Sequence, residues 1–217
     1  MENNKSVVEI LSAFVTGERT VRIEKTLSHR TRYITVVLED IYQSQNVSAV
    51  LRTCECLGVQ DVHIIETFNP YRINPMVLKG SDKWLNIFRY DGTDAVVRLK
   101  KEGYRIVATA LGGHSTSLYE FDLSAGKCAI VFGNEKQGVS NDILNVADEL
   151  LEIPMWGFTQ SLNISVSAGV ILSHLLHGLK QGNAEWRLNA SEQEDLRALW
   201  LKNSIKNPEL ILGRYTK

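Results

Sequence analysis

Cysteine is scarce in this 217-residue chain, and its three copies, Cys54, Cys56 and Cys128, neither pair up evenly nor form a CxxC. A disulfide framework is excluded and no zinc-binding spacing exists, so all three are read as buried thiols. Long hydrophobic runs are absent too: apolar stretches break within about a dozen residues, short of the roughly 20 that a membrane-spanning helix needs. The opening MENNKSVVEILSAF has no basic segment leading into a signal-type apolar core, which points to a cytoplasmic address. Neither charge is in excess, with 24 Lys and Arg against 25 Asp and Glu, so a histone-like polycation is excluded. The chain has no internal repeat and no low-complexity tract, and the missing GxGxxG counts against an ordinary dinucleotide fold.

What is present is the composition of an ordinary globular protein, 44% hydrophobic and 23% charged, long enough to bury a substantial core. From Ile34 onward, short β-branched runs (ITVVL, VHIIE, LNIFRY, RIVATAL, CAIVFG, LLEIP) alternate with helical segments such as NVSAVLRTCECLG, TDAVVRLKKEG and SNDILNVADEL. This is the rhythm of a mostly parallel α/β sheet, and strands so apolar require helices on both faces. Before it, a helix is expected in SVVEILSAFVTG, capped by Ser6 and stopped by Gly17, and then a basic linker, GERTVRIEKTLSHRTR. Near the other end Ser191 and Glu194 have capping-box spacing, and Asn207 before Pro208 opens a last helix. The expected division is a helical and basic extension over 1–32, an α/β domain over 33–182 and a second helical extension over 183–217.

Ligands of parallel sheets bind beyond the carboxyl ends of the strands, so the residues directly after each strand carry the chemical information. Three such loops stand out. In EDIYQSQNVSAVLRTCECLG, Asn46 opens a helix and Arg52 follows inside it among apolar neighbours. A buried guanidinium would need anionic or carbonyl partners, although on this segment alone a snorkelling surface arginine with Asn46 as a plain helix cap is the simpler account. In IVFGNEKQGVS, Gly133 and Gly138 allow tight turns ahead of a helix N-terminus, but Val139 stands where a phosphate loop needs lysine. In IPMWGFTQSLNISVSAG, the polar hinge Gln160 to Ser165 sits where a core helix begins, and unpaired polar groups there cost free energy unless a ligand meets them.

The three motifs NVSAVLR, FGNEKQGVS and IPMWGFTQSLNISVSAG, in this order, closely resemble motifs one to three of the SPOUT superfamily, in its TrmH-type branch of RNA 2'-O-ribose methyltransferases. The resemblance covers about Ile34 to Leu179. It implies an α/β fold closed by a C-terminal deep trefoil knot, an exception to the rule against knotting. It also implies a homodimer and S-adenosylmethionine held mainly by backbone atoms, with Thr109, Leu111, Gly133, Ile153 and Leu162 lining the pocket and Asn134 and Glu135 beside it. No metal is required, and the histidines, His174 and His177 included, are read as packing or surface residues.

The reaction so implied transfers a methyl group to a ribose 2'-hydroxyl. The family gives the key role to the arginine matching Arg52. A guanidinium, always protonated, is a poor proton acceptor, so Arg52 is cast as electrostatic stabiliser and phosphate anchor, the proton leaving to a substrate phosphate or water. Asn46 positions Arg52 or the ribose, Glu135 orients substrate or Arg52, and Ser161 and Asn163 hold the ribose or the cofactor carboxylate. Candidate phosphate contacts are Arg19, Arg22, Lys25, Arg30 and Arg32, with Lys202, Lys206, Arg214 and Lys217 in the tail. Helical extensions at both ends suit the tRNA D-loop guanosine enzymes, acting at position 18. Rivals are a ribosomal RNA enzyme of the same family and a catalytically silent RNA-binding dimer. Trp156 and the glycines of TALGGHS depart from the family pattern and stand where they could reshape the cofactor mouth or the substrate groove.

Overall fold

The computed structural model describes residues 6–215 apart from Ile73 and Gly113, so Gly113 and Lys217 lie outside the described residues. The chain opens with α1 (Val7–Ser12) and α2 (Gly17–Leu27), and then alternates through β1 (Ile34–Glu39), α3 (Ser44–Leu57), β2 (Asp61–Ile65), α4 (Pro75–Leu78), β3 (Asn86–Tyr90) and α5 (Asp94–Lys101). It continues with β4 (Arg105–Thr109), β5 (Thr116–Ser117), β6 (Cys128–Phe132), α6 (Asn141–Leu144), β7 (Glu149–Glu152) and the long α7 (Ile164–Gln181). Helices α8 (Ala190–Ser204) and α9 (Pro208–Leu212) follow. Two compact units result, one of Thr31–Trp186 and one of Met1–Arg30 with Arg187–Lys217.

In the larger unit seven strands form one sheet in the order β3-β2-β1-β6-β4-β7-β5, and every neighbouring pair is parallel. The alternation of side chains along a strand divides the core in two. Ile34, Val36 and Leu38 of β1 and Cys128, Ile130 and Phe132 of β6 join a cluster with α3 and α7, whereas Val37, Ala129 and Val131 join a second with Ala95, Val96 and Leu99 of α5 and Ile143 of α6. Both faces are therefore covered, as such continuous apolar strands require. Strand β7 lies between β4 and β5 although β5 precedes it in the chain.

In the smaller unit the expected basic linker is instead a helix. Thr16 caps α2 by accepting from the Arg19 amide at 3.2 Å, and Ile23 and Leu27, four residues apart, are buried on one side. Its many charges sit opposite that short apolar stripe, which is why the segment reads as a linker. Helix α1 accordingly ends at Ser12 rather than at Gly17, though Ser6 does cap it in a capping box with Glu9. The capping box of α8 is Asn189 with Glu192, not Ser191 with Glu194; Glu194 instead pairs with Arg197 at 2.5 Å, one turn on. Arg197 also grips Glu24 of α2 with Nε and Nη2 at 2.6 and 2.9 Å. Asn207 stands before Pro208 as expected, but with φ +55° and no side-chain capping bond.

Candidate active site

A cavity of about 740 Å³ opens at the carboxyl ends of β4, β6 and β7. Such a volume lies in the range that takes a cofactor-sized molecule. All six residues expected at the cofactor, Thr109, Leu111, Gly133, Asn134, Ile153 and Leu162, line it, together with Asn46, Glu135, Ser161 and Asn163 of the expected catalytic set.

The wall after β6 is built by backbone geometry. Asn134 and Gly138 exchange both backbone hydrogen bonds, at 2.9 and 2.8 Å, folding 134–138 into a tight loop. Gly138 has φ +73°, the left-handed region that glycine enters freely. At Gly133 a Cβ would stand 2.2 Å from the backbone C of Gly138 and N of Val139, so no side chain fits. The loop is tied to the end of β1: Asn134 Nδ2 donates to the Asp40 carbonyl at 2.6 Å, and the Ser140 amide to the Glu39 carboxylate at 2.9 Å. These two acids are not among the expected site residues. Their signal, two acidic residues directly after an apolar strand, is also that of an ordinary strand end.

Glu135 reaches across to the start of α3. Its carboxylate accepts from the Tyr42 and Gln43 amides at 2.8 and 3.2 Å and from Asn46 Nδ2 at 2.8 Å. Partial burial works to raise its pKa, but these donors outweigh it and hold the carboxyl below the usual range. Because a carboxylate only accepts, the Asn46 amide must present its nitrogen to Glu135 and its oxygen elsewhere. That oxygen takes a bond from Asn163 Nδ2 at 3.3 Å, and Asn163 Oδ1 in turn accepts the Ser165 amide and hydroxyl at 2.9 and 2.6 Å, capping α7. One polarised chain of hydrogen bonds thus links all three sequence motifs. Asn46 is buried in the first turn of α3, and Gln43, not Asn46, is the residue at the cap position. Ser161 and Gln160 line the cavity and, among the described residues, make no hydrogen bond, so their polar groups face the space.

Arg52 is placed differently. It lies on the exposed side of α3, does not line the cavity and makes no hydrogen bond or ion pair among the described residues. Of the expected phosphate contacts, Arg19, Arg22, Lys25, Lys206 and Arg214 are exposed. Two others are committed elsewhere: Arg30 is fully buried with its guanidinium 5.2 Å from the Trp200 ring centre, and Arg32 pairs with Asp61 at 3.0 Å. Arg30 is therefore withdrawn as a phosphate contact, since a buried cation cannot reach RNA. Lys202 is half-buried and bound to Glu209 at 3.2 Å. Of the three cysteines only Cys54 and Cys128 are buried; Cys56, on the side of α3 turned from the core, is exposed.

Residues 33–173 match the model of the SpoU rRNA Methylase family. The chain belongs to the SpoU methylase family. It is 44% identical over 205 residues to the tRNA (guanosine(18)-2'-O)-methyltransferase of Borreliella burgdorferi, covering 94% of both chains. Among solved structures, the SpoU methylase of A. aeolicus, a TrmH/SpoU tRNA modifying enzyme, superposes with a TM-score of 0.78 at 30% identity, over 88% of this chain and 98% of that one. The SpoU methyltransferase AviRb from Streptomyces viridochromogenes, in complex with the cofactor AdoMet, shares the fold with a TM-score of 0.61 at 21% identity, over 73% of this chain and 62% of that one. No helix among the described residues of this SpoU methylase is long and apolar enough to cross a membrane.

Proposed function

We infer that this SpoU methylase is an S-adenosylmethionine-dependent ribose 2'-O-methyltransferase acting on tRNA, at the D-loop guanosine of position 18. The observation that carries the reading is the convergence of ten expected residues on one cavity, in a chain similar along nearly its whole length to an enzyme of that specificity. The cavity fits the cofactor: Leu111, Ile153, Leu162 and Ile171 offer apolar walls to an adenine, and the tight loop from Gly133 to Gly138 lines the same cavity, its backbone there to meet a ribose and an amino-acid tail. When bound, S-adenosylmethionine supplies an electrophilic methyl group on a sulfonium centre.

The chain's own residues then do the following. Asn163 and Ser161 hold the target ribose, and Asn46 fixes Asn163. Glu135, kept ionised by three donors, is an orienting group rather than the base. Arg52 anchors a substrate phosphate and stabilises the developing alkoxide, and the proton passes to that phosphate or to water. Its exposed position suits a site completed by a second copy of the chain. The exposed valines Val166 and Val170 on α7, one turn apart, support a homodimer. The placement of β7 between β4 and β5, two strands that precede it in the chain, supports a trefoil knot. Arg19, Arg22 and Lys25, spaced along α2, would contact tRNA phosphates.

The test is transfer of labelled methyl to unmodified tRNA and, separately, to ribosomal RNA, by wild type and Arg52→Ala, with the product mapped as an alkali-resistant dinucleotide. Arg52-dependent label at the D-loop guanosine is expected. Label in ribosomal RNA alone would keep the chemistry and overturn the substrate; no label in either, with cofactor bound, would overturn the activity.

A further inference from the structure

The loop between β7 and α7 exposes two large aromatic rings that no part of the methyl-transfer reading uses. Trp156 is 86% exposed and Phe158 fully so, flanking Gly157. They project between Met155 and Gln160, both of which line the cavity, so whatever covers these rings sits at its mouth. The whole stretch Ile153–Asn163 carries no charged side chain and hence nothing that repels a polyanion. Beside the rings, Thr159 and Gln160 make no hydrogen bond among the described residues and offer a hydroxyl and an amide to the edge of a base. On the other lip Lys136 holds its ammonium 4.5 Å from the centre of the exposed Tyr42 ring, adding positive charge to that side.

We propose that Trp156 and Phe158 form a stacking platform for unpaired bases adjoining the reacting nucleotide of the substrate RNA. Single-stranded and loop RNA is recognised by splaying bases onto aromatic faces, with hydrogen bonds to their edges supplied from nearby side chains. The uncommitted Gln160 amide and Thr159 hydroxyl beside the rings favour this occupant over a second copy of the chain, whose apolar contact would leave those groups buried without partners. The proposal rests on the reading that the chain methylates RNA.

The test uses the full chain and the fluorescence of its tryptophans. Trp186 and Trp200 are buried and Trp84 half-buried, so Trp156 is the tryptophan most open to solvent and to a base. Titration with an unmodified tRNA transcript should quench wild-type emission, a looped substrate being required, while Trp156→Phe abolishes most of that quench yet retains RNA affinity because a ring remains. Trp156→Ala and Phe158→Ala should each raise the KM for RNA roughly tenfold, the effect of unstacking one base, and leave cofactor affinity and kcat near wild type. An unquenched Trp156 with an unchanged KM in the double alanine variant would overturn the proposal. So would emission that shifts to the blue with rising protein concentration and ignores RNA, since a second copy would then cover the ring. If quenching persists while no RNA is methylated, the methyltransferase reading fails and takes with it the place of the rings beside a reacting nucleotide, leaving only their contact with RNA.

Discussion

Asn46 and Arg52 stand on the same helix, α3, and meet opposite fates. Asn46 is buried, its amide held on one side by Glu135 and on the other by Asn163; Arg52 is exposed and, among the described residues, bound to nothing. The difference follows from what each group costs to fix. A neutral amide can be immobilised by folding alone once a carboxylate sets its orientation, whereas burying a guanidinium demands a paired anion that would then compete with the substrate. The fold fixes the amides of Asn46 and Asn163 in advance and leaves the guanidinium of Arg52 exposed. That division predicts a graded set of responses.

The largest belongs to the uncommitted cation. Arg52→Ala should lower kcat by about a hundred- to a thousandfold, the cost of removing an electrostatic stabiliser of the transition state, without changing cofactor affinity or melting temperature. Arg52→Lys should recover little, because an ammonium does not reproduce a planar bidentate donor. Equal loss of stability and activity would instead place Arg52 in the folded framework. Next comes the backbone. Gly133→Ala drives a methyl group into the chain at Gly138 and Val139, 2.2 Å away, and the loop has to move. Stability should fall by about 3 kcal/mol, at the upper end of overpacking costs, and calorimetry should find cofactor binding abolished.

Glu135→Gln tests the amide chain itself. Replacing one carboxylate oxygen by an NH2 sets a donor against the Tyr42 amide on one side or against those of Gln43 and Asn46 on the other, so kcat/KM should fall about ten- to thirtyfold, equivalent to roughly 1.4 to 2 kcal/mol. The pH dependence has a definite sign. The folded pKa of Glu135 lies below the ordinary carboxyl value of 4.5, so its contribution is fully present above that value and is lost only as pH falls through the lower folded pKa. The stability that Glu135 contributes should therefore be flat from neutral pH down to about 5 and decline below it, as read by thermal melts of wild type against Glu135→Gln; a difference that fades near pH 6 would mean that another group holds Asn46.

Much of this division was legible in sequence, for reasons that differ by element. The parallel sheet reads clearly because strands covered on both faces are almost wholly apolar, as ITVVLE is in β1. The cavity reads through polar residues set where a core helix begins, an arrangement that packing alone does not explain. Helix α2 does not read, because an amphipathic face of two buried residues, Ile23 and Leu27, is outweighed by its charged side. The cap of α8 misleads because Asn189 and Ser191 both have an acid three residues on, and only tertiary placement directs Glu194 to Arg197. The fate of Arg52 is undecidable from neighbours in sequence: Leu51 beside it is buried, and a single step of about 100° around the helix turns the guanidinium to solvent.

The smallest effects should come from the end helices, and they separate exposed cations from engaged ones. Every phosphate that a protein cation neutralises contributes about 0.7 to 0.9 to the slope of log affinity against log salt. Neutralising Arg22 and Lys25 together should therefore flatten that slope by about 1.5 units while changing kcat little. Lys202→Met should do far less, since Lys202 already faces Glu209 at 3.2 Å and brings less net charge to the RNA. Arg30→Met should leave the salt slope untouched and lower stability instead, because its guanidinium lies buried against Trp200. A slope that responds to Arg30 as strongly as to Arg22 would mean that the end helices rearrange on tRNA and release a cation that folding had committed.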